Sequence, residues 1–428
     1  VSDNRQNSAE ANHKSESLFR SLPVAVLYLS PANSHNRNMR LSESKQPNRL
    51  ISVALPLLSL FICATAAAGT RSQPLPVLTN TAQSSATAPT KPLPAPVRWR
   101  GLIGEYGPDN DILIVLEKDG KLFALFKRVD LQPLDEVSKN IFKLPAQRTH
   151  AGRQLIFIRD AHRRATQVAV EDVVLKRRQI EPEEGANQLR VKPARPVPEL
   201  MKEARAAAPP KEDGEFLTLD LVELTKLDPT IKLEIRYATT NNFLGTIFYS
   251  EARAFMQRPA AEAVVRVNHK LRQQGYGLLV HDAYRPWYVT KVFWDATPDD
   301  KKVFVADPAK GSRHNRGCAV DLTLYDLKTK KPVEMASTYD ETTARAYPDY
   351  PGGTSLQRWH RKLLRDAMES EGFTVYEAEW WHFDYKDWQR YPIGNLTFDQ
   401  IGANARKMGS WGSRPSLYAG ACCRRLVE

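Results

Sequence analysis

Three short segments in the second half of the chain concentrate side chains that bind metal ions and move protons. Ser312-Arg313-His314-Asn315-Arg316-Gly317-Cys318-Ala319-Val320-Asp321 places a histidine seven residues before an aspartate, with a glycine through which the chain can turn into a strand. An imidazole and a carboxylate that face one point suit Zn2+. Glu377-Ala378-Glu379-Trp380-Trp381-His382-Phe383-Asp384-Tyr385 supplies a second histidine. His382 can complete a His2Asp set and leave a fourth position for water, as a catalytic zinc requires. Zinc lowers the pKa of such a water toward about 7. Glu379 can then take the water's proton and pass it to a leaving amine. His281-Asp282-Ala283-Tyr284-Arg285-Pro286 closes an apolar strand. An arginine on that turn aims a fixed cation at a developing oxyanion or a substrate carboxylate.

Together, S-x-H-x-x-G-x-A-x-D, the later E-x-W-H and the earlier D-x-Y-R-P turn resemble the zinc D-Ala-D-Ala dipeptidases, the VanX-type enzymes of vancomycin resistance in peptidase family M15. Glu234-Ile235-Arg236-Tyr237-Ala238-Thr239-Thr240-Asn241-Asn242-Phe243 and the segment Met335–Asp340 extend the resemblance. It covers about 215–395, less than half of the chain. The resemblance implies one Zn2+ held by His314, Asp321 and His382, with Glu379 as the catalytic base. It implies that Arg285 stabilises the tetrahedral intermediate, and that Asp340, Tyr237 and Ser312 line the dipeptide site, Asp340 being suited to the substrate ammonium. Ala283 stands where the turn often has glycine, and Cys318 where serine is frequent; neither is a ligand position. The implied activity is hydrolysis of a small D,D-dipeptide, D-Ala-D-Ala, in cell-wall peptide metabolism. Two alternatives are a D,D-carboxypeptidase acting on peptidoglycan stem peptides and a non-catalytic cell-wall-binding protein with a structural metal site. Glu379 argues against the last, because a structural zinc has no need of an acid three residues from a ligand.

The elements that must position these residues lie in 214–404, the expected catalytic domain. Apolar spacing predicts helices over Pro259–Gln274 and over Ser355–Glu371, the second ended near Gly372. Strands are expected at Gly277–Val280, Gly317–Tyr325 and Trp380–Tyr385. Helices and strands interleave without a regular βαβ repeat, which predicts an α+β fold, a small antiparallel sheet with flanking helices. Cys318 is an odd number of residues from Asp321, so the two side chains should face opposite sides of a strand, leaving Cys318 a small buried residue. His281 and His360 read as structural.

A small all-β accessory domain is expected at 98–180. Leu113–Leu116 and Lys121–Phe126 flank the turn Glu117-Lys118-Asp119-Gly120, a hairpin signal, and Leu155–Ile158 and Val168–Val170 add further strands. His150 and His162 stand alone and read as surface residues. This domain is expected to be a binding module, with peptidoglycan or the envelope surface as a candidate partner.

The flanks differ in character. Residues 1–69 read as a disordered N-terminus followed by a secretory signal peptide: Arg40, Lys45 and Arg49 precede an apolar run from Leu50 to Cys63, and Ala64-Thr65-Ala66 or Ala66-Ala67-Ala68 fits a cleavage site. The run contains Pro56 and falls short of the about 20 residues that span a bilayer. Export, to the periplasm, is therefore expected. Lipid anchoring through Cys63 is less favoured, since Phe61 and Ile62 are bulky where small residues belong. Linkers are expected at 70–97 and 181–213, and a basic tail at 405–428. The 428 residues carry 61 Lys+Arg against 49 Asp+Glu, a formal net charge of +12. That excess lies in 1–213 and 405–428, at +9 and +4, whereas 214–404 sits at −1. A neutral core without a recognition motif excludes nucleic acid as the expected partner. The composition also excludes a fully disordered chain, a collagen-like fibre and a polytopic membrane protein. Four cysteines (Cys63, Cys318, Cys422, Cys423) are too few and too scattered for a disulfide framework.

Overall fold

A row of apolar, largely β-branched or aromatic segments between residues 230 and 385 forms one mixed sheet. The computed structural model describes residues 90–147, 150–180 and 190–401. The expected signal segment, most of the first linker and the basic tail lie outside the described residues. The sheet comprises β1 (Lys232–Leu233), β2 (Tyr276–Asp282), β3 (Ala319–Asp326), β4 (Phe373–Tyr376) and β5 (Glu379–Tyr385), in the order β1-β2-β3-β5-β4. β1 runs parallel to β2 and every other pairing is antiparallel. β2 and nearly all of β3 are buried residue after residue. A strand covered on both faces reads as a continuous apolar run rather than an alternation.

Among the described residues four helices have ten residues or more: α1 (Val197–Ala206), α2 (Arg258–Arg272), α3 (Trp287–Ala296) and α4 (Ser355–Glu369). α2 buries Ala260, Ala261, Val264, Val267 and Leu271 and packs on β2, while α4 packs on β3, β4 and β5. α4 starts at a capping box, in which Thr354 accepts from the Gln357 backbone and Gln357 reaches back to the Thr354 N–H. The two predicted helices and three predicted strands are present, with ends that coincide or are displaced by one or two residues. Gly317 falls outside its expected strand, closing a 3-10 turn (His314–Arg316) with φ of 68° before β3 begins. The result is a mixed α+β architecture with several antiparallel sheets.

The expected linker at 181–213 needs correction. From Val197 it forms α1, whose Val197, Leu200 and Ala204 are buried and which packs on α3. These residues follow a helical i, i+3, i+7 spacing. Pro198 sits in the first turn, where no backbone N–H is needed. Further on, Glu212 accepts hydrogen bonds from the Arg316 guanidinium and the Ile393 backbone. Proline and charge disguised a docked element as a tether.

The β-rich segment forms two antiparallel sheets. One has four strands (Gly104–Tyr106, Leu113–Lys118, Lys121–Phe126, Asp130–Pro133) and one has five (Asp135–Ser138, Ile141–Lys143, Gln154–Arg159, Ala165–Val170, Val173–Lys176). The hairpin turns on Asp119 and Gly120, at φ of 50° and 76°, the positive values of a two-residue type I′ loop. Leu113, Val115, Leu122 and Ala124 face a core with Phe142, Leu155 and Phe157. Ile112, Ile114, Leu116 and Leu125 face the other way and pack on Ala336 and Tyr350 of the catalytic part. His162 is exposed, and His150 is half-buried with its ring 4.2 Å from that of Phe126. Among the described residues no helix is long and apolar enough to cross a membrane.

Two glycines separate backbone strain from steric strain. A Cβ at Gly317 would lie 2.5 Å from Leu221 Cδ2, whereas one at Gly120 would meet nothing within 4 Å. Gly120→Ala should therefore cost only the left-handed penalty, about 1 kcal/mol, and Gly317→Ala about 3 kcal/mol once the clash is added. Urea denaturation of the two variants measures the difference.

Candidate active site

Strand pairing brings three of the chemically active residues into line. Asp282 on β2 is opposite Asp321 on β3, and Asp321 is opposite His382 on β5. Directly paired residues project from the same face of a sheet. His314 joins them from the 3-10 turn, whose left-handed Gly317 lets the chain double back into β3. Ser312 supports that turn, its Oγ accepting from the His314 backbone N–H at 3.2 Å.

The ligand atoms converge. His314 Nε2 lies 3.1 Å from His382 Nδ1 and 3.3 Å from Asp321 Oδ1, and His382 Nδ1 is 3.0 Å from Asp321 Oδ1. The outer nitrogens are already committed: His314 Nδ1 donates to the Ala283 carbonyl at 2.6 Å and His382 Nε2 to Asp384 Oδ1 at 2.9 Å. Two imidazole lone pairs and a buried carboxylate oxygen with no hydrogen-bond donor of its own therefore point at one spot. Their separations match the edge of a tetrahedron, about 3.3 Å for metal–ligand bonds of about 2.0–2.1 Å. The donor set fits a divalent metal ion, and His314, Asp321 and His382 are the residues that could hold it. Burial penalises a charged His382 ring, yet Asp384 and Asp321 outweigh it and raise its pKa to about 10. The carboxylates demand positive charge at this point, and a proton or a metal ion meets the demand.

Glu379 stands beside the cluster, its Oε2 3.8 Å from His382 Nδ1. Burial raises its pKa to about 8, opposed by His382 and reinforced by Asp321 and Asp340. A carboxyl tuned near neutrality can both accept and return a proton. Arg285 is buried, with Nε and Nη2 each 2.9 Å from Asp282 Oδ2 and Nη2 3.8 Å from Asp321 Oδ2. Its guanidinium lies over the rings of Tyr237 and Phe293, and its backbone N–H donates to the His314 carbonyl at 3.1 Å. Asp282 is held in turn by the Tyr249 hydroxyl at 2.8 Å and the Ala283 N–H at 2.9 Å. Asp340 has a left-handed backbone, φ of 59°, and both its oxygens accept from the Tyr237 hydroxyl at 3.0 Å. Tyr339 donates to Asp321 Oδ2 at 3.0 Å, and its oxygen is 3.3 Å from that of Tyr237.

All eight residues expected at the site (Tyr237, Arg285, Ser312, His314, Asp321, Asp340, Glu379 and His382) line one cleft of about 500 Å³. Cys318 is fully buried, and burial pushes its thiol up to about 12, which makes it unreactive. His281 and His360 are buried outside the metal cluster, lowered by burial to about 3 and about 4. Sequence reasoning missed Asp282, Asp384 and Tyr339 as functional residues. Asp384 had a signal, since a residue two beyond His382 shares its strand face. Tyr339 lay in the Met335–Asp340 segment that carries the resemblance, but no local pattern placed it against Asp321, because that depends on how an irregular segment folds back.

An α+β fold with a buried candidate metal centre, a tuned carboxyl and an oriented arginine in one cleft defines a hydrolytic enzyme. Residues 217–400 match the Peptidase M15 family, described as D-Ala-D-Ala dipeptidase. The chain is 32% identical over 176 residues to the D-alanyl-D-alanine dipeptidase of Escherichia coli K12, covering 41% of this chain and 90% of that one. It is 33% identical over 187 residues to the enzyme of that name from Enterococcus faecium, covering 40% and 91%. It is also 33% identical over 189 residues to the one from Enterococcus faecalis V583, covering 39% and 92%. The chain belongs to the D-Ala-D-Ala dipeptidase family and is a peptidase.

Orientation of His382 by Asp384 has a measurable consequence. Asp384→Asn should weaken Zn2+ affinity about 10–100-fold without abolishing binding, whereas His314→Ala or His382→Ala should end stoichiometric binding. Competition against a chromophoric chelator distinguishes the two classes.

Proposed function

We propose that this peptidase hydrolyses the free dipeptide D-Ala-D-Ala in cell-wall peptide metabolism, using one Zn2+ held by His314, Asp321 and His382. The observation that carries the reading is the placing of Glu379 and Asp340 in the same cleft as the buried His2Asp cluster. A bound zinc supplies Lewis acidity, polarising a peptide carbonyl and acidifying water. The rest of the work falls to the chain. Asp340 binds the substrate ammonium, which fixes the dipeptide's orientation. Arg285, aimed by Asp282, faces the carbonyl oxygen as negative charge develops on it. Glu379 removes a proton from the attacking water as its oxygen bonds to the carbonyl carbon, then delivers that proton to the amine as the C–N bond breaks. Tyr237 and Ser312 hold Asp340 and the His314 turn in place.

The alternative of a D,D-carboxypeptidase on longer stems fits less well. An N-acylated stem would present a neutral amide to the Asp340 carboxylate and forgo the charge-assisted contact that a free ammonium makes. A structural metal site fits less well again, because it leaves the raised pKa of Glu379 without a purpose. The reading of residues 39–68 as a signal segment supports a periplasmic setting, where cell-wall peptides are met.

Release of D-Ala from D-Ala-D-Ala, assayed with and without a chelator and beside a pentapeptide stem, tests the proposal. The dipeptide should be cleaved, the chelator should abolish release, and added Zn2+ should restore it. Glu379→Gln should lower kcat by about 10²–10⁴-fold at unchanged zinc stoichiometry, and Asp340→Asn should chiefly raise KM. Faster cleavage of the pentapeptide would replace the dipeptidase reading with the carboxypeptidase one. No release from zinc-loaded protein would overturn catalysis.

A further inference from the structure

The ligand that would meet the substrate's ammonium rides on the least regular part of the catalytic fold. Between β3 and α4 the chain forms no strand or long helix, only a 3-10 turn at Ala344–Ala346, yet it carries Tyr339 and Asp340. A left-handed aspartate is strained and persists only where its surroundings over-determine it. Part of the restraint is internal. The buried Glu341 carboxylate accepts from the Thr338 N–H at 3.2 Å and the Thr343 hydroxyl, and pairs with Arg345 at 3.3 Å. Arg345 also donates to the Ala336 carbonyl at 2.8 Å. This knot closes 336–345 on itself, and Tyr339, Asp340 and Ser337 tie its inner side to the cleft through Asp321, Tyr237 and Trp380.

The ends of the segment are anchored by the β module. Ala336 and Tyr350, one at each end of the irregular segment, pack into an apolar cluster with Ile112, Ile114, Leu116 and Leu125. Beside that seam the hairpin turn clasps the start of α4. Glu117 is 2% exposed, and its Oε2 accepts the Ser355 N–H at 2.8 Å while its backbone N–H donates to the Gly353 carbonyl at 3.1 Å. Ser355 Oγ accepts the Asp119 N–H at 2.9 Å, and Arg358 donates to the Glu117 carbonyl at 2.6 Å. A module that merely tethered the enzyme to a surface would not need a buried carboxylate and an apolar face on the catalytic part.

We propose that the β module is a brace for the substrate-binding segment, and that Leu116 and Glu117 are positioning residues which set dipeptide affinity by holding Asp340 in place. The proposal rests on the dipeptidase reading for its kinetic consequence and on the seam for its structural one. Its effect is selective, because the metal ligands stand on the sheet and its tight turn while Asp340 stands on the braced segment.

The test uses the full chain. Leu116→Asp puts a charge into the seam, and Leu116→Met keeps it apolar. Three measurements are compared with wild type: hydrogen–deuterium exchange of peptides covering 336–350, KM and kcat for D-Ala-D-Ala, and zinc stoichiometry. Leu116→Asp should speed exchange in 336–350 and raise KM about tenfold or more, the scale expected when a binding group shifts by a fraction of an ångström. Zinc content and kcat should stay close to wild type, and Leu116→Met should restore wild-type KM. Unchanged exchange in 336–350 would overturn the brace, as would faster exchange with unchanged KM. Should Leu116→Asp fail to fold, Arg358→Gln, which leaves the module's core intact, is judged by the same outcomes. Should wild type release no D-Ala, the dipeptidase reading fails by itself, and exchange alone decides whether the module holds the segment.

Discussion

Buried carboxylates crowd the cleft, and each must be answered by a donor, a cation or a retained proton, because an isolated buried charge costs several kcal/mol. Asp282 is answered by Arg285, Tyr249 and its neighbour's N–H. Asp340 is answered by Tyr237, and Asp384 by His382 and Arg313. Glu379 responds by holding its proton toward neutral pH. Asp321 is held ionised against burial by His314 and His382, yet its Oδ1 has no hydrogen-bond donor, and the lone pairs of those two rings converge on it. The neutralisation of its neighbours singles out this atom as the place where a metal ion would complete the charge balance. Arg285 belongs to the same scheme: its guanidinium is fixed beside several carboxylates because Asp282 orients it.

The cleft divides its work between stiff and irregular backbone. Asp321 and His382 stand opposite each other on adjacent strands, and the His314 turn is tied to the Arg285 turn by a backbone hydrogen bond. Such groups hold ligand geometry because packed strands do not yield by small amounts. Asp340 and Tyr339 come from a segment without a ladder of its own, held by side-chain hydroxyls, the Glu341–Arg345 pair and the face of the β module. On the proposed reading, chemistry is placed on the sheet and substrate recognition on the irregular segment.

Much of the site was legible in the sequence, and for a local reason. His314, Gly317 and Asp321, or Glu379 and His382, lie close enough in the chain that turn and strand geometry alone relate them. Both helices showed in apolar spacing, and the hairpin in the turn Glu117-Lys118-Asp119-Gly120. Other features were hidden. α1 lay among prolines and charges that read as a linker, although Val197, Leu200 and Ala204 have helical spacing. The run Ile112–Leu116 showed no alternation, since one face fills the module's core and the other seals against Ala336 and Tyr350. A two-sided strand and a seam between two parts of a chain leave the same apolar signature.

Residue types and short spacings, by themselves, settled which groups are available: two imidazoles, a carboxylate seven residues after the first, an acid three residues before the second, an arginine on a turn, and a glycine through which the chain enters a strand. These are properties of a few consecutive residues, where backbone sterics leave few choices. Tertiary structure alone decided that Asp282, Asp321 and His382 share one row, that Ala283 and Asp384 take the outer imidazole protons, and that burial lifts Glu379 to about 8. It also decided that a β module some two hundred residues upstream of Asp340 packs on the segment that carries it. Those outcomes depend on strand register, on water exclusion and on contacts between residues far apart in the chain, which no local pattern specifies.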